Sequence, residues 1–111
     1  MAYKSKFEED FQKAFPDAKY ELKKFKYSKT HTYTPDWELG DKIVETKGRF
    51  TVFDRSKILA VLEQNPDLKE KFIIVFQNPF VKINKKSKTS YSDWCDKHNI
   101  KWTTLEKLKI K

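Results

Sequence analysis

Five consecutive apolar residues, Phe72-Ile73-Ile74-Val75-Phe76, place the strongest constraint on how this 111-residue chain folds. A strand turns successive side chains to opposite faces, so a run with no polar member suits a central strand covered on both sides. The covering layers are legible around it. Phe7, Phe11 and Phe15 recur every four residues, which puts an aromatic stripe on a helix beginning near Ser5 and ended by Pro16-Asp17. Asp54 reads as the N-cap of a helix to about Gln64, with Ile58, Leu59 and Leu62 inward and Asn65-Pro66 as its stop. Ser90 and Asp93 form a capping box for a helix to about His98. Ile100 to Trp102 reads as a last strand, after which Thr104 caps a short helix with Leu105 and Leu108. Between the first two helices, residues 20–33 read as one or two extended strands. Lys42 to Lys47 reads as a short strand, entered through the tight loop Leu39-Gly40-Asp41 and closed by Gly48. This order predicts one small α/β domain, a mixed β-sheet core flanked by helices.

Hydrophobic residues at 38% and aromatics at 15% are too many for a disordered tail. Lys and Arg number 24 against 16 acids, a net charge of +8, so a polyanion is the expected partner unless the surface is merely Lys-rich for solubility. Arg49 and Arg55 are the only arginines. Lysine meets phosphate as a point charge while bidentate reading of bases favours arginine, so recognition should follow backbone and shape. Cys95 is the single cysteine, and His31 and His98 lie far apart, which excludes an intrachain disulfide and a zinc site of usual spacing. The first residues lack a signal peptide's apolar run, and no stretch approaches the ~20 apolar residues of a membrane span. A cytoplasmic protein without membrane contact is expected.

The chemistry centres on Glu45-Thr46-Lys47. On a strand Glu45 and Lys47 face one way and Thr46 the other, and burying such a pair is costly without a purpose. Asp36, after Pro35, precedes Glu45 by nine positions. A reversal through Gly40 would set it beside that edge. Two converging carboxylates make a hard-oxygen site suited to Mg²⁺, with the adjacent ammonium free to hold a phosphate or orient water. The plainer reading is a surface Glu–Lys pair with Asp36 as a turn residue.

Pro35-Asp36 followed by Glu45-Thr46-Lys47 resembles the PD…(D/E)xK nuclease superfamily. The longer stretches His31 to Trp37 and Val44 to Gly48, together with Asp54-Arg55, Thr89-Ser90-Tyr91, Trp94-Cys95 and Lys97 to Lys101, resemble the endonuclease I family of the T-odd bacteriophages, which resolves Holliday junctions. The likeness covers roughly residues 7 to 102. It implies a restriction-endonuclease-like sheet and a Mg²⁺-dependent endodeoxyribonuclease, with Mn²⁺ substituting. It implies cleavage of four-way and other branched DNA to 5′-phosphate and 3′-hydroxyl ends, in a bacterial host. Asp36 and Glu45, with Thr46, match the metal ligands, and Lys47 the catalytic lysine. Glu8, after Phe7, matches a further catalytic glutamate on the first helix. Glu9 adjoins it, and Ser5 to Glu8 is also a capping box in which Glu8 would bind only its own helix end.

The resemblance further implies a homodimer whose chains exchange segments, dividing the chain into an N-terminal helix (1–19), a bridging strand (20–33) and a catalytic core (34–111). Here the Tyr20–His31 stretch is shorter than the family bridge and lacks its internal proline. Arg49, Arg55 and Lys57 are placed to grip phosphates or simply to solvate a helix face, and His31 to contact DNA or to serve the structure. Tyr33 and Trp37 flank the acidic turn and read as packing, and His98 reads as a cation suited to a helix C-terminus. The rival functions are a nicking or restriction-like nuclease on linear duplex and, in a different class, a non-catalytic nucleic-acid-binding module.

Overall fold

A computed structural model of the chain describes residues 5–21, 23–26 and 32–110. The element order is α1 (Lys6–Ala14), β1 (Lys19–Tyr20), β2 (Phe25–Lys26), β3 (Thr32–Tyr33), β4 (Trp37–Leu39), β5 (Lys42–Lys47), α2 (Val52–Gln64), α3 (Pro66–Lys69), β6 (Phe72–Phe76), α4 (Tyr91–Lys97), β7 (Lys101–Thr104) and α5 (Leu105–Ile110). The sheet order is β1-β4-β5-β6-β7, while β2 and β3 pair apart from it. β1, β4 and β5 run antiparallel in turn, whereas β6 is parallel to both β5 and β7. The sheet is therefore mixed, and the all-apolar strand is an interior one, as its sequence predicts; it runs parallel to both neighbours.

Side-chain alternation divides the core between two faces. On one, Phe72, Ile74 and Phe76 of β6 and Ile43 of β5 pack with Ile58, Val61 and Leu62 of α2, Leu68 of α3, and Trp94 and Cys95 of α4. On the other, Val44 and Val75 pack with Phe11 of α1 and Leu105 and Leu108 of α5. The stripe on α1 is thus core: Phe11 is fully buried, with Phe7 and Phe15 beside it. Phe50, in the connection from β5 to α2, sets its ring edge-on to Phe76, Tyr91 and Trp94 at 5.3, 5.7 and 5.1 Å, tying strand, loop and α4 together. Cys95 is a buried small hydrophobe whose thiol burial pushes up to about 12.

Several expectations are corrected. Helix α2 is capped by Thr51, not Asp54. Thr51 Oγ1 accepts from the Asp54 amide, and Asp54 Oδ2 accepts from the Thr51 amide at 2.9 Å, a reciprocal box with Asp54 in the first turn. The β-branched and aromatic residues Thr51-Val52-Phe53 read as poor helix formers, which hid the true start. Pro66 does not only stop α2 but opens the short helix α3, a use that its fixed φ favours at a first turn. Val61 rather than Leu59 is fully buried on α2. His98 ends α4 with its ring against Trp94 at 4.5 Å, and burial with the nearby Lys97 and Lys69 charges holds its pKa below the ordinary value, so the neutral form is favoured. Of the segment 20–33, residues 22 and 27–31 lie outside the described residues. The rest supplies the end of β1, which joins the main sheet at Tyr20, and β2 and β3, paired with Phe25 opposite Tyr33.

Phe50→Ala should destabilise the domain by ~3–5 kcal/mol, since it leaves a cavity among three fixed aromatic rings. Urea unfolding should show the midpoint fall with an unchanged slope; a loss under ~1 kcal/mol would mean that the junction of loop and α4 repacks.

Candidate active site

The β4–β5 hairpin turns at Gly40, whose φ of +61° lies in the left-handed region that glycine enters without strain. Its antiparallel register sets Trp37 opposite Val44, so Asp36 falls beside Glu45 just beyond the last pair. The two residues then clasp each other. The Asp36 amide donates to Glu45 Oε1 at 3.2 Å, while the Thr46 amide and hydroxyl donate to Asp36 Oδ2 at 3.0 and 2.8 Å. Trp37 Nε1 donates to the same Thr46 hydroxyl at 3.3 Å. Asp36 and Glu45 are 7% and 5% exposed, a burial that isolated carboxylates do not tolerate.

Glu45 registers that cost. Burial first, and then the neighbouring Asp36 charge, push its carboxyl up to about 8, although Lys47, the Asp36 amide and Tyr33 work against the shift. The Tyr33 hydroxyl lies buried beside Glu45, short of a well-formed hydrogen bond. Burial and the two carboxylates raise its pKa well above the ordinary range. Lys47 Nζ stands 3.8 Å from Glu45 Oε2 and 3.2 Å from Asp54 Oδ1. Burial works to lower its pKa, but Glu45 and Asp54 outweigh it and hold the pKa above the usual value, so the ammonium stays charged. Asp54 is the residue whose part here the sequence reading missed. It caps α2 and also anchors the Lys47 ammonium, and its pKa is lowered, against the opposing effect of burial, by the Thr51 amide and Lys47.

Glu8 approaches from the other face. It is buried at 5% exposure, and its Oε1 accepts from the Tyr20 hydroxyl at 2.9 Å. Ser5 Oγ caps the helix by accepting from the Glu8 amide at 3.2 Å. Glu9 is half-buried and pairs with Lys13 one turn on, at 3.8 Å. Tyr20 stacks at a tilt on Trp37, 4.7 Å between centroids, and burial, then the Glu8 hydrogen bond and charge, raise its hydroxyl pKa well above the ordinary value. Among the described residues no three His, Cys, Asp or Glu side chains converge closely enough to hold a metal ion, so Asp36 and Glu45 are brought together while Glu8 is not brought to them.

The sequence-predicted DNA contacts are distributed unevenly. Arg49 is exposed. Arg55 is partly buried and donates from Nη1 to the Phe50 carbonyl at 2.6 Å. Lys57 lies over the Tyr33 ring, 5.4 Å from its centroid. His31 lies outside the described residues. Tyr33 and Trp37 are each 1% exposed and serve as packing, as predicted, yet both also touch the acidic cluster.

Because folding raises the Glu45 pKa from 4.5 to about 8, the folded chain binds a proton in that interval which the unfolded chain releases. Stability from this group is therefore present at low pH and lost as pH rises through the window. With chelator present, Glu45→Gln should melt higher than the natural sequence at pH 8.5, by at least ~5 °C for a domain of this size, and the gap should close toward pH 5. A gap independent of pH would show that the carboxylate is not strained by burial.

The sequence profile described as phage endonuclease I matches residues 1–108. Endonuclease I of Escherichia phage T7 is 48% identical over 73 residues, which cover 65% of this chain and 48% of that protein. Endodeoxyribonuclease 1 of Enterobacteria phage T3 is 42% identical over 85 residues, 73% of this chain and 55% of that protein. The chain thus spans about half the length of these curated relatives. A profile match over nearly every residue, on a fold that sets Asp36, Glu45 and Lys47 at one strand edge, shows that the chain belongs to the phage endonuclease I family.

Proposed function

We propose that the chain is a metal-dependent endodeoxyribonuclease acting on branched DNA, four-way junctions above all. The observation that supports this most is the buried Asp36–Glu45 pair facing a charged Lys47, an arrangement that weakens the fold and so calls for a function. The donor set suits a hard divalent cation, Mg²⁺ or Mn²⁺. Asp36 and Glu45 would hold it, beside Thr46, whose amide and hydroxyl fix Asp36 in place. When bound, such an ion supplies charge neutralisation at the phosphate and a more acidic water.

The chain's own residues do the rest. Lys47, kept protonated by Glu45 and Asp54, holds a non-bridging phosphate oxygen or orients the attacking water. Asp54 fixes the lysine against the start of α2. In-line attack on phosphorus expels the 3′ oxygen and leaves a 5′-phosphate. Glu8, buried beside Tyr20, is the fourth member by family resemblance. Within one chain, among the described residues, it forms no metal-holding group with Asp36 and Glu45, as expected if the site is completed across a homodimer that exchanges segments near residues 20–33. Arg49, Arg55 and Lys57, with His31, supply backbone contacts in this reading. The protein acts in the host cell; no helix among the described residues is long and apolar enough to cross a membrane.

The test is cleavage of a synthetic four-way junction beside its linear arms, with Mg²⁺ and with EDTA. The junction should be cut in Mg²⁺ only, and Glu45→Gln and Lys47→Ala should each lower the rate at least ~10³-fold while gel-shift affinity stays within about threefold, as expected when an interaction is made chiefly in the transition state. Equal cutting of linear arms would favour a nicking enzyme. Binding without cutting under any metal would favour a binding module.

The shared site has a sharper test. Glu8→Gln and Glu45→Gln chains co-expressed as mixed dimers should regain junction nicking, although each variant alone is inactive. In a crossed arrangement one composite site takes both substitutions and the other takes none. Sites built within single chains would give no rescue.

A further inference from the structure

Four large hydrophobic side chains are exposed among the described residues: Val52 at 59%, Phe53 at 82%, Phe80 at 69% and Val81 at 39%. Val52 and Phe53 open α2, after the short connection from the C-terminal end of β5, and Phe80 and Val81 lie in the connection that leaves the C-terminal end of β6. Those ends adjoin, with Lys47 in register with Phe76 and the Gln77 amide donating to the Lys47 carbonyl at 3.0 Å. Both apolar pairs therefore stand at the rim that carries Lys47.

Neither pair belongs to a loosely held loop. Beneath the first, Thr51 and Asp54 close their box and Arg55 clamps the Phe50 carbonyl. Beneath the second, the Tyr91 amide donates to the Val81 carbonyl at 2.8 Å, the Ser92 amide to the Pro79 carbonyl at 2.9 Å, and the Phe80 amide to Asn78 Oδ1 at 3.0 Å. The phenyl rings are held outward by anchored backbone.

Charge indicates the occupant. Residues 48–57 and 77–90 contain seven lysines and arginines against Asp54 alone. A second copy docked face to face would set those cations against their equals, which disfavours a symmetric protein contact. A polyanion that also offers flat apolar surfaces satisfies both features, and nucleic acid is such a ligand. Bases within a duplex are already stacked on one another. Those at a branch point can be parted.

We propose that Phe53 and Phe80 form an apolar shelf that receives unstacked nucleobases at a DNA branch point, beside the phosphate held at Lys47. This rests on the nuclease reading for its ligand and gives that reading a physical basis for preferring branched over linear DNA, beyond the shape of the phosphate backbone.

The experiment uses the full chain with Glu45→Gln to prevent cutting, a four-way junction carrying 2-aminopurine at the branch point, and a linear duplex with the same label. Binding should change the junction's fluorescence. Adding Phe53→Ala and Phe80→Ala should abolish that change and weaken junction affinity ~10-fold or more, with linear affinity within about twofold and the melting temperature unchanged. Phe53→Trp should preserve the signal. Unaltered junction affinity and fluorescence in the double variant would overturn the shelf, as would a double variant that sediments as a monomer where the parent is a dimer, since the rings would then bridge copies. Cleavage by the natural sequence is read separately: a protein that shows the fluorescence change but never cuts DNA would retain the shelf and lose the nuclease reading.

Discussion

The clasp between Asp36 and Glu45 is the interaction on which the rest of the site depends. Two carboxylates this close and this buried repel each other, and nothing in their own chemistry keeps them together. The backbone does so. Asp36 lends its amide to Glu45, while Thr46 lends both amide and hydroxyl to Asp36, so each acid is held by the other's strand. The clasp forms only in the register set by the turn at Gly40, because a one-residue slip would send Glu45 and Lys47 to the opposite face. Core packing enforces that register, with Ile43 committed to one hydrophobic cluster and Val44 to the other.

Alternation along β5 then sorts the chemistry by face. Glu45 and Lys47 share a face with Ile43 and meet Tyr33 and Asp54 there, whereas Thr46 shares the face of Val44 and meets Trp37. Glu8 and Tyr20 belong to the second side, on the layer built by α1 and α5. A single sheet thus separates the helix glutamate from the lysine, with Asp36 at the edge between. Burying Glu8 against Tyr20 is costly for a residue that merely caps a helix, since Ser5 alone supplies the cap.

How much of this was legible in the sequence depends on the range of the interaction involved. The Phe72–Phe76 strand, the Lys42–Lys47 strand and the Ser90–Asp93 box follow from local pattern and match the structure. The nine-residue spacing between Asp36 and Glu45 was enough, with Gly40 between them, to set the acids side by side. The start of α2 was missed because Thr51-Val52-Phe53 have strand-like propensities, and because Asp54 is a plausible cap by itself. Its pairing with Lys47 was missed for the same reason: a residue that already has a local explanation does not advertise a second partner. Tyr20 and Tyr33 reach Glu8 and Glu45 over twelve positions each, and no periodicity reports contacts of that kind.

The placement of charge follows from the parallel half of the sheet. β5 and β6 end together, their exits lead into the capped starts of α2 and α4, and those helix N-termini add positive potential beside Arg49 and a lysine-rich second connection. Ligands of open α/β sheets commonly gather outside the C-terminal ends of parallel strands for this reason. The acids here sit on the antiparallel side of the same strand, β5, and Lys47 lies at its end. One strand therefore joins a buried acidic cluster that repels anions to a rim that attracts them. A polyanion drawn to the rim would meet the buried carboxylates only where their charge is offset, by Lys47 and, in the proposed reading, by a divalent cation. In the proposed nuclease reading, affinity for DNA would be set mainly at the rim, and the balance of charge at the clasp would govern cutting.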